Sequence, residues 1–166
     1  MKKIAVLLFF LLTTGDLRAE GDLFVGKWVL DVKASEYPAG TCPKAMVIEM
    51  EPTGKGVRYR SETSYQNGRT AHSEYTAEYN GNQAVVLGTR GMLLPVFLKR
   101  IDANTVVASY TKDLIVVATS RRVVSEDGER MTITTTSKDA SGKTVTTVGV
   151  YTKQAQLAAT APGNSR

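Results

Sequence analysis

Residues 57–79, VRYRSETSYQNGRTAHSEYTAEY, hold the pattern that decides the fold. Two runs of alternating polar, aromatic and β-branched residues, 57–66 and 70–79, lie on either side of Asn67-Gly68. Both residues of this dipeptide accept a positive φ at low cost, so the pair predicts a two-residue β-hairpin. The same rhythm of short β-type runs closed by turn residues continues on both sides of the hairpin, which indicates an antiparallel protein.

Read in this way, the chain contains ten predicted strands bounded by turn residues: 24–31, 46–51, 57–66, 70–79, 83–87, 96–101, 105–111, 114–124, 129–137 and 143–153. Strands linked by successive tight turns favour a meander, and a meander removes its exposed edges by closing into a barrel. We therefore predict an all-β, antiparallel up-and-down barrel of about 8–10 strands. A two-sheet sandwich is the alternative, although its crossovers need longer connections than these.

The N-terminal segment predicts export. Lys2 and Lys3 precede an apolar run at 4–12, and the sequence then becomes small and polar up to Ala19. This layout is typical of a secretory signal peptide, and the run is too short for a spanning helix, which needs about 20 apolar residues. We expect cleavage after Ala19, with Gly15 as the competing site.

The expected organisation is a signal peptide at 1–19, a barrel domain at 20–154 and a flexible tail at 155–166. The mature protein is then periplasmic or extracellular, with no transmembrane anchor after cleavage.

Charge and composition argue against several classes of function. The net charge is +5, but the basic residues are interspersed rather than gathered in the stripe that nucleic-acid binding requires. One histidine and one cysteine, Cys42, cannot supply the usual zinc ligand sets, and no carboxylate cluster has calcium-loop spacing. We therefore predict no metal, no cofactor and no nucleic-acid partner.

The first predicted strand contains Gly26-Lys27-Trp28, a Gly-x-Trp motif. Together with FVGKWVLDVKASEY at 24–37 and TSRRVVSEDGERMTITTTSKDASGKTV at 119–145, it resembles secreted bacterial lipocalin-like, calycin-type β-barrel proteins of uncharacterised function. The resemblance implies that Gly26 and Trp28 form the closed end of a barrel. It also implies that a basic residue from the last strands, Lys153 or one of Arg121-Arg122, covers the tryptophan. No ligand is implied, and residues 82–97 depart from the group's pattern.

Tyrosines are the first candidate ligand contacts. Tyr59 and Tyr65 share a face of the third predicted strand, and Tyr75 lies on the strand that the hairpin brings beside it. One interpretation is a cavity wall with aromatic surface and hydroxyl groups. The other is ordinary cross-strand aromatic packing.

His72 and Arg122 are further candidates. Alternation puts His72 and Glu74 on one face, where they form either a proton-transfer pair or a surface pair. No nucleophile motif accompanies them, so we predict that the protein is not an enzyme. Arg121 and Arg122 face opposite ways, and the inward one would hold a ligand carboxylate, as in fatty-acid-binding barrels, which this chain resembles only in fold. The alternative is a strand-end arginine that reaches solvent.

The segment Met92–Phe97, MLLPVF, places apolar residues where a loop is expected. Leu93 and Phe97 there form either an apolar lip at the barrel mouth or the start of a core strand. The first functional hypothesis is an exported barrel that binds a small, mostly apolar ligand. Its candidate contacts are Tyr59, Tyr65, Tyr75, His72, Arg122, Leu93 and Phe97. The alternative is an inhibitor-type or envelope accessory module with a filled barrel and a protein partner at Met92–Phe97.

Overall fold

A computed structural model describes residues 21–89 and 93–155, and its regular elements are all β-strands. The strands are β1 (Gly26–Leu30), β2 (Ala45–Thr53), β3 (Gly56–Ser64), β4 (Thr70–Glu78), β5 (Asn80–Ala84), β6 (Leu87–Gly88), β7 (Val96–Arg100), β8 (Thr105–Lys112), β9 (Ile115–Val124), β10 (Arg130–Lys138) and β11 (Thr144–Lys153). The predicted signal peptide, the tail beyond residue 155 and Met92 lie outside the described residues.

The strands form one antiparallel sheet in the order β5-β7-β8-β9-β10-β11-β1-β2-β3-β4-β6. The sheet curls until its two edges approach each other at Tyr79, whose carbonyl oxygen accepts the Arg100 N–H at 3.2 Å. The prediction of an antiparallel meander barrel is confirmed.

There are eleven strands rather than ten because the predicted strand 83–87 divides between the two edges of the sheet. β6 pairs with β4, whereas β5 pairs with β7. The sequence between the predicted strands 70–79 and 83–87, Asn80-Gly81-Asn82, predicts a hairpin turn, and this prediction is wrong, since Asn80 begins β5 and lies opposite Lys99. The chain crosses from one edge to the other at this point instead of reversing beside β4.

The hairpin between β3 and β4 has a three-residue loop, so the predicted two-residue turn is also wrong. The Tyr65 N–H donates to the Arg69 carbonyl at 2.9 Å, which leaves 66–68 as the loop. Within that loop only Gly68 has a positive φ, 77°, while the Asn67 side chain accepts the Arg69 N–H. The odd loop length matters because it sets Tyr59 opposite Tyr75.

The turn between β8 and β9 is followed by a β-bulge. Lys112 pairs with Ile115 across the turn, but Tyr110 pairs with Ala118, so Val117 is an extra residue in β9. A bulge of this kind inverts the faces of every residue beyond it. It therefore determines which of the two adjacent arginines enters the barrel.

The closed end of the barrel is built around Trp28, which is fully buried. Its Nε1–H donates to the Phe24 carbonyl at 2.9 Å. Lys153 Nζ lies 5.0 Å from the centroid of the Trp28 ring and donates to the Leu23 carbonyl at 3.1 Å. Of the two basic candidates for this position, the structure therefore has Lys153 over the tryptophan, and the cation–π contact ties the last strand to the first.

Gly26 makes this contact possible, and its replacement tests it. Gly26 has φ 134°, and a Cβ there would lie 2.7 Å from Lys153 Cε. Gly26→Ala should lower the free energy of unfolding by about 1–3 kcal/mol, since it strains the backbone and displaces Lys153. Urea denaturation is the measurement. Gly21→Ala is the control, because nothing lies within 4 Å of that position; an equal effect of both changes would contradict the assignment.

Candidate functional site

The barrel interior divides into an apolar half and a half that contains a cavity. The largest fully buried side chains, which include Trp28, Phe24, Ile48, Leu98 and Met131, fill the closed half. A cavity of about 300 Å³ occupies the other half, beneath the connector between β1 and β2. Its wall consists mainly of tyrosines and hydroxyl side chains: Tyr37, Tyr59, Tyr65, Tyr75, Tyr110, Ser61, Thr63, Ser73 and Thr135.

Tyr59 and Tyr75 form an aromatic stack on one side of this cavity. Their ring centroids are 4.7 Å apart and the rings are inclined by only 8°. Because opposite residues of an antiparallel pair share a face, the three-residue loop at 66–68 is what places both rings inside. A two-residue loop would have set Tyr59 opposite Thr76 and turned Tyr75 outward.

Arg122 reaches the tyrosines of this cavity from the opposite side of the barrel and lies behind them, outside the cavity lining itself. The extra residue Val117 makes Arg122, rather than Arg121, the inward residue of β9, and Arg122 is only 3% exposed. Its guanidinium carbon lies 5.0 Å from the Tyr59 ring centroid and 5.9 Å from that of Tyr75. The cation therefore reaches across the barrel to the stacked rings.

The Arg122 guanidinium has few polar partners. Nη2 donates to the Tyr110 hydroxyl at 3.3 Å, and among the described residues no acidic side chain forms an ion pair with it. Within the same part of the chain its Nε and the hydroxyls of Tyr75 and Tyr79 are buried without a well-formed hydrogen bond, although Arg122 and Tyr75 are close enough to interact with each other. Buried charges and donors are normally paired. The unmet hydrogen-bonding capacity of these groups is therefore unusual.

Burial also sets the protonation of these groups. Burial raises the pKa of Tyr59 and raises that of Tyr75 further, although the nearby Arg122 charge opposes the change. Burial alone would lower the pKa of Arg122, but Tyr75, Tyr110 and Tyr59 outweigh it and raise that pKa above its ordinary value. At neutral pH a fixed positive charge therefore lies directly behind the cavity wall, beside neutral phenols that can donate hydrogen bonds.

Two pairs of hydroxyl groups complete the polar lining. Ser61 and Ser73 are joined at 2.8 Å across β3 and β4, and Ser120 and Thr135 at 2.6 Å across β9 and β10. In each pair one hydroxyl donates to the other, and the O–H of the accepting hydroxyl stays available to a further acceptor. The two pairs therefore add hydrogen-bonding groups to this half of the barrel.

The other predicted site residues are divided between the cavity and the outer surface. Tyr65 lines the cavity beside the β3–β4 loop. His72 lies at its rim, where its Nδ1 hydrogen-bonds outward to Glu62 Oε1 at 2.6 Å. Phe97 is on the outer face of β7, between the inward Val96 and Leu98. The predicted set of ligand contacts therefore combines side chains that lie on opposite faces of the sheet.

Leu93 lies in the loop before β7, half in solvent at 37% exposure, and its Cδ2 approaches Gly88. The second half of the predicted apolar segment belongs to the core strand β7, whose first residue, Val96, is fully buried. Glu74, the predicted partner of His72, instead pairs with Arg60 and Arg58 on the outer face, at 3.4 and 3.7 Å.

Tyr110 and Tyr37 line the cavity but were not predicted. Tyr110 precedes the bulge. The only sequence signal for its inward position is the period-two alternation of β8. Tyr37 belongs to the connector between β1 and β2, which has no strand period in the sequence. A lone tyrosine in such a segment carries no signal that it folds back over the barrel.

Within the described ranges, no group of three or more His, Cys, Asp and Glu side chains is placed to hold a metal ion. Cys42 is half-buried with a free thiol. No helix in residues 21–89 and 93–155 is long and apolar enough to cross a bilayer.

No protein-family model and no curated protein matches the sequence. The structure is similar to that of zebrafish ileal bile acid-binding protein complexed with cholic acid, with a TM-score of 0.52. The two chains are 14% identical, and the match covers 80% of this chain and 99% of the zebrafish chain. This similarity supports the calycin-like barrel that the sequence predicted. At this level of identity it shows the fold alone.

The unpaired cation leads to a prediction about stability. Arg122→Met keeps a long side chain but removes a buried charge without a carboxylate partner, so the free energy of unfolding should rise by about 1–3 kcal/mol. Arg121→Met, on the outer face of the same strand, should change it by less than about 0.5 kcal/mol. Urea denaturation of the two variants measures both, and a destabilised Arg122→Met protein would show that the charge is well compensated.

The buried tyrosines predict a loss of stability at alkaline pH. Below pH of about 10, Tyr75 is protonated in both the folded and the unfolded chain. Above it, the unfolded chain loses a proton that the folded chain retains, because the pKa of Tyr75 is raised by burial, and stability falls. Tyr75→Phe should reduce that slope by up to about 1.4 kcal/mol per pH unit. Denaturant midpoints between pH 8 and 11.5 test this, and an unchanged slope would contradict it.

Proposed function

We propose that this protein binds a small ligand that carries an acidic group on a mostly apolar, preferably aromatic body. The observation that supports this proposal is the buried Arg122 guanidinium, which has no carboxylate partner among the described residues. A carboxylate or sulfonate that enters the cavity and reaches past its tyrosine wall would accept hydrogen bonds from Arg122 Nε and from the Tyr75 hydroxyl. The free energy of ligand binding would then offset the cost of burying the Arg122 guanidinium away from water.

The volume of the cavity limits the size of the ligand. Its volume of about 300 Å³ is at the lower end of the range for ligand sites, about 300–1,000 Å³. The Tyr59–Tyr75 stack offers aromatic surface beside the charge. Compact aromatic or medium-chain acids fit this description best. The similarity to a bile acid-binding protein makes cholic acid a useful probe at the upper size limit.

The proposed role is binding without catalysis. His72 is engaged with Glu62, and Glu74 with two arginines, so the two residues of the catalytic hypothesis are each held by other partners. The alternative of a filled barrel that acts only through protein contacts expects no interior cavity, whereas this barrel has one. We further propose that the protein is exported. This rests on the charged and apolar layout of residues 1–19, and N-terminal sequencing of the protein recovered outside the cytoplasm tests it.

The acid-binding prediction is tested by competition with 8-anilinonaphthalene-1-sulfonate, an anionic apolar fluorophore. Naphthoic, decanoic and cholic acids are the competitors, each compared with its uncharged amide. The acids should bind more tightly than their amides, and Arg122→Gln should weaken the acids by about 10- to 100-fold, as expected for hydrogen bonds to a charged group.

Arg121→Gln is the matched control, since the neighbouring arginine faces outward and should not affect binding. Equal affinity for acid and amide, or equal effects of the two arginine variants, would overturn the proposed role of Arg122. Failure of every probe to bind would overturn the binding function itself. Native mass spectrometry of the protein from its own cells is an independent measurement: an adduct that is lost on denaturation would give the mass of a bound ligand.

A further inference from the structure

Three consecutive aliphatic side chains lie in solvent where β8 turns into β9. Leu114, Ile115 and Val116 are 90%, 68% and 55% exposed. We call residues 114–116 the apolar tip. The sequence had placed all three within a long strand, where alternation would have buried part of the set.

The backbone of the turn is adapted to hold a side chain outward. Asp113 and Leu114 have φ values of 51° and 65°, in the left-handed region that Asn-Gly turns normally occupy. A leucine is strained in this conformation, and glycine would avoid the strain. No packing contact explains the choice, because this leucine is almost wholly exposed. Strained positions of this kind often serve function.

Lysines surround the apolar tip. Lys112 precedes the turn, and Lys138 lies with Ile115 and Val116 around a surface depression of about 410 Å³. Lys143 is on the neighbouring β10–β11 turn, and within the described residues none of the three lysines forms an ion pair.

The acidic groups nearby are fewer. Asp139 is occupied by its own turn, where it accepts hydrogen bonds from Ser141 and from the Lys143 N–H. Asp113 is in the turn itself, and Glu62, at the cavity rim, is paired with His72. The long lysine side chains can reach past Asp113 to the level of the apolar tip.

The apolar tip and the cavity are at the same end of the barrel. Tyr110, which lines the cavity, is two residues before Lys112 in β8. The β3–β4 loop with Tyr65 and the β10–β11 turn are at that end as well, because successive strands of a meander alternate in direction. Any surface that contacts the apolar tip therefore faces the mouth of the barrel.

We propose that the apolar tip docks the protein on an anionic lipid bilayer. Leu114 and Ile115 insert at the level of the lipid head groups, and Lys112, Lys138 and Lys143 contact the anionic lipids. A narrow, convex turn with three apolar side chains can insert into a lipid bilayer, because the lipids can rearrange around it. A stable protein partner or second copy needs about 800 Å² of matching surface on each side. The docking does not depend on the cavity being occupied.

A tryptophan reporter tests insertion at this position. The only native tryptophan, Trp28, is fully buried, so it gives a constant background. A Leu114→Trp variant should shift its emission to the blue on phosphatidylcholine vesicles that contain phosphatidylglycerol, and brominated lipid should quench it. Ile101→Trp is the control, since Ile101 is 52% exposed at the opposite end of the barrel.

A second variant removes the side chain without endangering the fold. Leu114→Gly suits the left-handed backbone, so the protein should fold as before while partitioning onto vesicles falls about tenfold or more. Lys138→Gln should lower partitioning severalfold on anionic vesicles and leave binding to pure phosphatidylcholine unchanged. Binding of the anilinonaphthalene probe in solution should be the same for both variants, which separates this proposal from the ligand-binding function.

Equal emission shifts for the Leu114→Trp and Ile101→Trp variants would overturn the proposal, because they would show adsorption through another part of the full chain. Absence of any shift would overturn it as well. A concentration-dependent dimer that Leu114→Gly abolishes, with no binding to vesicles, would instead assign the apolar tip to a second copy of the chain.

Discussion

The site depends on strand register. Successive residues of a strand face opposite sides of the sheet, so one inserted residue reverses which of the following side chains point into the barrel. Two such register choices meet at the cavity. The three-residue loop at 66–68 sets Tyr59 and Tyr75 side by side, and the extra Val117 in β9 turns Arg122 inward. With a two-residue loop the two tyrosines would lie on opposite faces, and without the extra residue in β9 Arg122 would face away from them.

A buried charge with one neutral hydrogen-bond partner costs stability, and the rest of the barrel must compensate for it. The closed half does so with a continuous apolar core around Trp28, to which Lys153 ties the final strand. The incompletely paired buried charge lies in the other, polar half of the barrel. Its serines and threonines pair with one another, and Arg122 Nε and the Tyr75 hydroxyl are buried there without a hydrogen-bond partner. This division between a filled half and a polar half is what makes one end of the barrel a binding site.

Much of the fold follows from local sequence. Period-two alternation and Gly, Asn, Asp or Pro turns predict nine of the eleven strands, all except β5 and β6, and Gly26-Lys27-Trp28 indicates the closed end. The register is harder to predict. Asn67-Gly68 is a strong signal for a turn but does not reveal that Gln66 joins the loop, and no special residue marks the bulge at Val117. His72 and Phe97 were grouped with inward residues for the same reason, because a face is defined only once the partner strand and its register are known.

The bulge also connects the cavity to the outer surface of the same barrel end. If alternation ran unbroken from Arg122 through Ser120 and Ala118, the next residue on the inner face would be Val116. The extra residue instead pairs Val116 with Thr111 and leaves it 55% exposed. One inserted residue therefore places a cation inside the barrel and extends an apolar surface outside it. Because both consequences arise from a single register shift, the charge behind the cavity wall and the apolar tip at the cavity mouth are parts of one structural arrangement rather than two independent features.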